Sequence, residues 1–142
     1  MLPVTFIQSI QSVKGFQKEA FEAVHAAEKQ LTSVRINPSK NVSSLDIINN
    51  ASQVYWCEHG FYLPLRPSFT FDPQFHAGMY YVQEASSMFL WHVLNQTVTN
   101  PTQKKVLDLC AAPGGKTTLL SSFFTDGLIV SNEVIKSRAN IL

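Results

Sequence analysis

The chain lacks most of the features that announce a specialised chemistry. It has two cysteines, Cys57 and Cys110, without the paired spacing of a disulfide framework or a zinc site. Its four histidines, His25, His59, His76 and His92, show no ligand spacing, so no metal is expected. Its apolar runs fall far short of a membrane span. Met1-Leu2-Pro3 is not the basic stretch and apolar core of a secretory leader. With unpaired thiols, these absences point to a reducing cytosol and away from membranes. An excess of one charge is missing too: 11 Lys and Arg stand against 10 Asp and Glu, a formal net charge of +1. A nucleic-acid partner would have to be held by a local basic patch. There are no repeats and no low-complexity segment.

What is present suffices for a folded core: 142 residues, 45% of them hydrophobic. Phe6, Ile7, Ile10 and Val13 recur at helical spacing, and Gly15 is predicted to end that helix. Ala20, Phe21, Val24, Ala27 and Leu31 form a second stripe, expected to pack on the first. Val34 and Ile36 alternate with polar neighbours, which predicts a short strand stopped by Pro38. Ser44 is predicted to cap a short helix containing Leu45 and Ile48. Residues 53–57 and 61–63 are rich in aromatics and flank Glu58-His59-Gly60, the pattern of a hairpin. Pro64, Pro67, Pro73 and Gly78 make 64–79 irregular, with a domain junction expected near residue 70. Residues 85–94 read as a helix with Met88, Phe89 and Val93 apolar.

The most informative stretch is 106–118, VLDLCAAPGGKTT: an apolar strand, a turn of small residues, then a helix. Such a loop lets a ligand approach the backbone and offers it the free N–H groups of a helix start. A second strand follows at 128–132, and Glu133 tips it, about 20 residues beyond Gly114. A ribose-binding carboxylate belongs there. A triphosphate loop would need glycine at position 110, where Cys110 stands, and the three-glycine dinucleotide fingerprint is absent. A neutral or zwitterionic ligand fits better, and S-adenosylmethionine has the right parts.

At these residues the chain resembles a known family. DLCAAPGGKT, from Asp108 to Thr117, is similar to the cofactor loop of RNA cytosine-5 methyltransferases of the Sun/Nop type, nearest to bacterial ribosomal-RNA enzymes of the RsmF type. Ser33-Val34-Arg35-Ile36-Asn37 resembles the family's S-x-R-x-N stretch. Residues 78–87, GMYYVQEASS, resemble its G-x-x-Y-x-Q-E-x-S-S element. Asn132-Glu133 with Arg138 resembles its second cofactor motif. The likeness runs from about residue 2 to the end.

The resemblance implies an α/β architecture. A small N-terminal α+β module (1–70) precedes the first βαβ part of a Rossmann-like S-adenosylmethionine-dependent methyltransferase sheet (71–142). One βαβ unit is too little for a doubly wound sheet, so the chain reads as the N-terminal part of a longer protein. Cofactor binding is expected at Cys110, Ala111, Ala112, Pro113, Gly114, Gly115, Lys116, Glu133 and Arg138. Lys116 either reaches the cofactor's carboxylate or faces solvent. Asp108 is a candidate for holding the amino group, and Arg138 either touches the cofactor or forms a salt bridge. In the family the nucleophile is a cysteine thiolate in a Pro-Cys or Thr-Cys context. Neither cysteine here has that context. No catalytic residue is assigned, and the polypeptide alone is expected to be inactive. Cys110 and Cys57 are expected to be buried small hydrophobes.

Gln83, Glu84, Ser86 and Ser87 read as helix-capping residues beside the cofactor cleft. RNA, in particular ribosomal RNA, is the implied partner. Arg35, Lys40 and Arg66 are candidate phosphate contacts, and Tyr55, Trp56, Phe61, Tyr62, Tyr80 and Tyr81 are candidate stacking or core aromatics. An uncovered strand pair would favour self-association. The alternatives are a non-catalytic RNA-binding module and, less compatible with Cys110, an NTPase.

Overall fold

A computed structural model describes residues 2–26, 31–40 and 45–142. The chain divides into two compact units, 1–30 and 31–142.

The first unit contains α1 (Val4–Ile10) and α2 (Lys18–Ala26). The Phe6 and Phe21 rings meet at 6.3 Å between centroids, so the two predicted stripes do face each other. The first helix stops at Ile10, earlier than Val13, and Gly15 takes the left-handed conformation (φ 84°) in the following turns. Ala27 lies outside the described residues, as does the Ser44 cap.

The second unit is built on an antiparallel sheet of order β2-β3-β1-β4: β1 (Thr32–Ile36), β2 (Ser52–Gln53), β3 (Gly60–Leu63) and β4 (Tyr80–Val82). β1 is central, pairing Val34 with Phe61 on one side and with Val82 on the other. The predicted hairpin exists, but its first strand is only Ser52–Gln53. Val54 to Gly60 form a loop of turns instead, closed by Val54 N–H donating to the Gly60 carbonyl. Proline and glycine content predicts a junction near residue 70, yet the sheet runs through that point because β4 pairs with β1. Within 64–79 there is local order: a 3-10 turn over Phe69–Phe71 and α3 (Pro73–His76), whose start is capped by Asp72 accepting from Gln74 N–H at 2.8 Å. Another 3-10 turn, Asp46–Ile48, replaces the predicted short helix.

Both faces of β1 are buried, polar residues included. Val34 and Ile36 pack with Leu45, Leu63 and Tyr80 on one face. The predicted short strand is present. The polar face is covered by the segment that follows β4 and by a helix beyond it.

α4 (Ala85–Thr97) and the parallel pair β5 (Lys105–Asp108) and β6 (Leu128–Ser131), joined by α5 (Gly115–Phe123), complete the unit. The βαβ expectation is met. The buried stripe of α4 is Ala85, Met88 and Trp91, whereas Phe89 and Val93 are exposed. Composition identifies apolar residues, but the helix phase is set by what lies opposite: Val54, Cys57 and Leu119. Fully buried Met88 (0% exposed) sits among them. Met88→Ala is therefore expected to lower the unfolding free energy by about 2–5 kcal/mol in a urea titration.

Candidate cofactor site

The loop after β5 is held by its own residues. Asp108 is its clamp: one carboxylate oxygen accepts from the Thr117 hydroxyl at 2.7 Å and the other from Cys110 N–H at 3.3 Å. A carboxylate at a strand end, facing the first turn of the next helix, sits favourably against the helix dipole. Asp108, proposed to hold an amino group, is thus already engaged by two donors. Ala111 N–H donates to the Asn132 carbonyl, and the Asn132 side chain donates to the Leu109 carbonyl, which pins the loop to the end of β6.

The two glycines answer different constraints. Gly114 precedes the helix at φ 101°, a left-handed conformation costly for any residue with a Cβ. Gly115 is close-packed: a Cβ there would stand 3.3 Å from the Tyr81 ring and 3.4 Å from the Gln83 amide nitrogen. The Ala112-Pro113 peptide bond is cis. The first backbone bond into α5 is Thr118 N–H to the Gly114 carbonyl. The N–H groups of Gly115, Lys116 and Thr117 have no backbone acceptor among the described residues.

Cys110, Ala111, Ala112, Pro113, Gly115 and Lys116 line one cleft of about 200 Å³ together with Tyr81, Val82, Gln83, Glu84 and Ser87. The structure therefore unites most of the predicted loop with the predicted 78–87 element. Lys116 is exposed while bordering the cleft. Cys110 is a correction: its residue is exposed, because the loop leaves the sheet before it. Cys57 is buried as expected, and burial pushes its thiol pKa up. Capping by the 83–87 side chains is also corrected. Glu84 precedes α4 without a side-chain cap bond. Gln83 is buried and makes long-range bonds instead.

Glu133 and Arg138 do not line the cleft. They form their own pair, 3.6 Å apart, and Arg138 also donates to the Ala112 carbonyl, so the pair is tied to the loop. Arg138 lies on α6 (Lys136–Ala139). The Glu133 side chain is only 3% exposed; one carboxylate oxygen accepts from Ile135 N–H at 2.9 Å. The other is buried without a hydrogen-bond donor.

Arg35 is the largest departure from expectation. Offered as a phosphate contact, it is 2% exposed and fully directed inward. Its Nε–H donates to Gln83 Oε1 at 2.8 Å, and its terminal nitrogens donate to the Thr118 hydroxyl at 2.7 Å and the Ser122 hydroxyl at 3.3 Å. Burial lowers its pKa. Ser33 and Asn37, on the same face, act alike: the Ser33 hydroxyl donates to the Gln83 carbonyl at 2.6 Å, and the Asn37 amide donates to the Gly78 carbonyl at 3.0 Å. The polar S-x-R-x-N face is thus a row of donors to 78–83 and α5. Period-two polarity inside an otherwise apolar strand is the signal that could have identified it. Lys40 and Arg66 are exposed, the latter over the Phe69 ring. Among the proposed stacking aromatics Tyr55 is 97% exposed, while Tyr80 is buried with its phenol donating to Asp72.

A strand–glycine loop–helix–strand unit with a carboxylate at the second strand's end defines the class: a Rossmann-like, methyltransferase-type α/β fold. Residues 2–85 match the family described as the N-terminal domain of 16S rRNA methyltransferase RsmF, and residues 96–142 match 16S rRNA methyltransferase RsmB/F. The chain belongs to the RsmF family. It is 31% identical to the ribosomal RNA small subunit methyltransferase F of Vibrio cholerae serotype O1 (strain M66-2) over 99% of its length, and 33% identical to that of Shewanella sediminis (strain HAW-EB3) over 96%. It spans about a third of these relatives, 32% and 31% respectively. The crystal structure of PH0851 shares the fold, with a TM-score of 0.82 at 24% identity, over 99% of this chain and 32% of that one.

Gly114→Ala is expected to destabilise the second unit by about 1–2 kcal/mol, the ordinary cost of the left-handed conformation, since a methyl there meets only Leu142 at 3.5 Å. Chemical denaturation followed by circular dichroism measures it; an unchanged midpoint would remove the backbone constraint.

Proposed function

We propose that this chain supplies the cofactor cradle, and part of the RNA-facing surface, of an S-adenosylmethionine-dependent ribosomal-RNA (cytosine-5) methyltransferase. The observation that carries the reading is the cleft formed by the Cys110–Pro113, Gly115 and Lys116 loop against Tyr81–Glu84 and Ser87. The residues fit S-adenosylmethionine in three ways. The start of α5 has N–H groups free for a carboxylate. Buried Ala111, Ala112 and Gly114 keep the loop thin. The Glu133 oxygen that faces Arg138 at 3.6 Å makes no hydrogen bond and can accept from a hydroxyl, as a ribose offers.

Bound there, S-adenosylmethionine supplies an activated methyl group. Cys110 to Lys116 would border its amino-acid end, Glu133 its sugar, and Arg138 would hold Glu133 and the Ala112 carbonyl in place. Neither cysteine is assigned to the attack on the base. Cys57 is buried with a raised pKa, and Cys110 follows Leu109 rather than proline or threonine. By itself this polypeptide is thus expected to transfer no methyl. RNA would be met by exposed groups such as Lys40, Arg66 and Tyr55, as backbone charge and stacking require. Among the described residues no helix is long and apolar enough to cross a membrane.

Isothermal titration tests the reading. S-adenosylhomocysteine is expected to bind the chain. Glu133→Ala is expected to weaken it about tenfold or more, since a lost charged hydrogen bond costs roughly 1.5–3 kcal/mol. RNA binding with no cofactor binding would favour a non-catalytic RNA module, and stabilisation by magnesium-ATP alone would favour an NTPase. Leu107, Leu109, Leu128 and Val130 share the exposed face of the β5–β6 pair. We therefore expect self-association of the chain at high concentration, read by light scattering; a monomer throughout would overturn that part.

A further inference from the structure

We propose that Arg35 and Gln83 are positioning residues for the cofactor loop: one buried guanidinium, through two short relays, fixes the peptide planes that carry the free N–H groups at the start of α5. The proposal deepens the cofactor reading and rests on it for its functional meaning.

The first relay runs through an amide. Arg35 Nε–H donates to Gln83 Oε1 at 2.8 Å, and Gln83 Nε2 donates to the Gly115 carbonyl at 3.1 Å. A carboxamide can flip by half a turn and exchange donor for acceptor, but a guanidinium can only donate. Arg35 therefore selects the orientation in which Nε2 faces Gly115. Ser33 holds the same residue by its backbone: its hydroxyl donates to the Gln83 carbonyl, and its own carbonyl accepts from Gln83 N–H at 3.2 Å.

The second relay runs through a hydroxyl. Arg35 donates to Thr118 Oγ1 at 2.7 Å, and that hydroxyl donates to the Gly114 carbonyl at 2.9 Å. The donor-only guanidinium again forces the oxygen facing it to accept, which leaves the single hydroxyl proton to the glycine carbonyls, Gly114 at 2.9 Å or Gly115 at 3.2 Å. The carbonyls of Gly114 and Gly115 are thus both held from the sheet side. Their peptide planes also carry the N–H groups of Gly115 and Lys116. In a trans peptide the C=O and N–H of one plane point in opposite directions. Fixing these two carbonyls aims the two N–H groups. Tyr81 adds a third tie, its phenol donating to the Pro113 carbonyl at 3.0 Å.

Gln83→Glu separates positioning from packing. The new carboxylate still accepts from Arg35, with a charge-assisted bond. It cannot donate to Gly115 and instead sets an oxygen against that carbonyl. The expected result is an unfolding midpoint at or above that of the unaltered chain, with S-adenosylhomocysteine affinity down about tenfold or more. Order parameters of the Gly115 and Lys116 N–H vectors, read by 15N relaxation, should fall. Arg35→Lys, which offers one ammonium in place of a fork, should move affinity and order parameters in the same direction. Ser122→Ala, at the long 3.3 Å contact, should move neither. The proposal is overturned by unaltered order parameters at Gly115 and Lys116 in Gln83→Glu and Arg35→Lys. It is also overturned by an affinity that falls only in step with the unfolding midpoint. Absence of S-adenosylhomocysteine binding by the unaltered chain would instead sink the cofactor reading, with the order parameters of the two N–H vectors still deciding the positioning.

Discussion

A buried guanidinium with no carboxylate partner among the described residues is the constraint around which the second unit is arranged. Arg35 keeps its charge in practice at any ordinary pH, even with its pKa lowered by burial. Leaving its donors unmet in the interior would cost several kcal/mol, so each must find an oxygen. Three find neutral ones: the Gln83 amide and the Thr118 and Ser122 hydroxyls. These acceptors sit on two other elements, the end of β4 and the face of α5. The antiparallel sheet and the parallel unit are thereby held in one relative arrangement by side chains whose geometry allows little slippage.

This division of labour explains why β1 is buried on both faces. Val34 and Ile36 contribute non-directional apolar burial with Leu45, Leu63 and Tyr80. Ser33, Arg35 and Asn37 contribute directional bonds to residues 78–83 and α5. Apolar packing alone would tolerate small shifts of α5. Hydrogen bonds with fixed donors do not, and the loop at the helix start depends on that registration. Asp108, Asn132 and Tyr81 supply further ties to the same loop, so its conformation is over-determined from three directions.

The small-residue loop after β5 was largely legible in the sequence because its requirements are local. A strand followed by small residues and paired glycines, then a helix, dictates the turn whatever surrounds it. The position of Glu133 just beyond β6 was legible for the same reason, by its spacing from Gly114. Its pairing with Arg138, and the link from Arg138 to Ala112, belong to a contact between segments far apart in the chain. Residue type suggests burial for Cys110, which is exposed, because exposure depends on where the loop departs from the sheet. Nor does residue type set the phase of α4: Phe89 and Val93 are apolar, but the core lies on the side of Ala85, Met88 and Trp91.

The sequence by itself determined the βαβ unit, the small-residue turn, the family resemblance and the chemistry that such a turn can serve. These follow from propensity, periodicity and short-range spacing. Only the tertiary structure decided that the period-two polar residues of β1 point inward, that Gln83 bonds across to Arg35 and Gly115 instead of capping a helix, and that Tyr81 and Gln83 close tightly on Gly115. A polar residue in a strand reads as solvent-facing until the surface opposite it is known, and that surface is contributed by residues about 50 to 90 positions away in the chain.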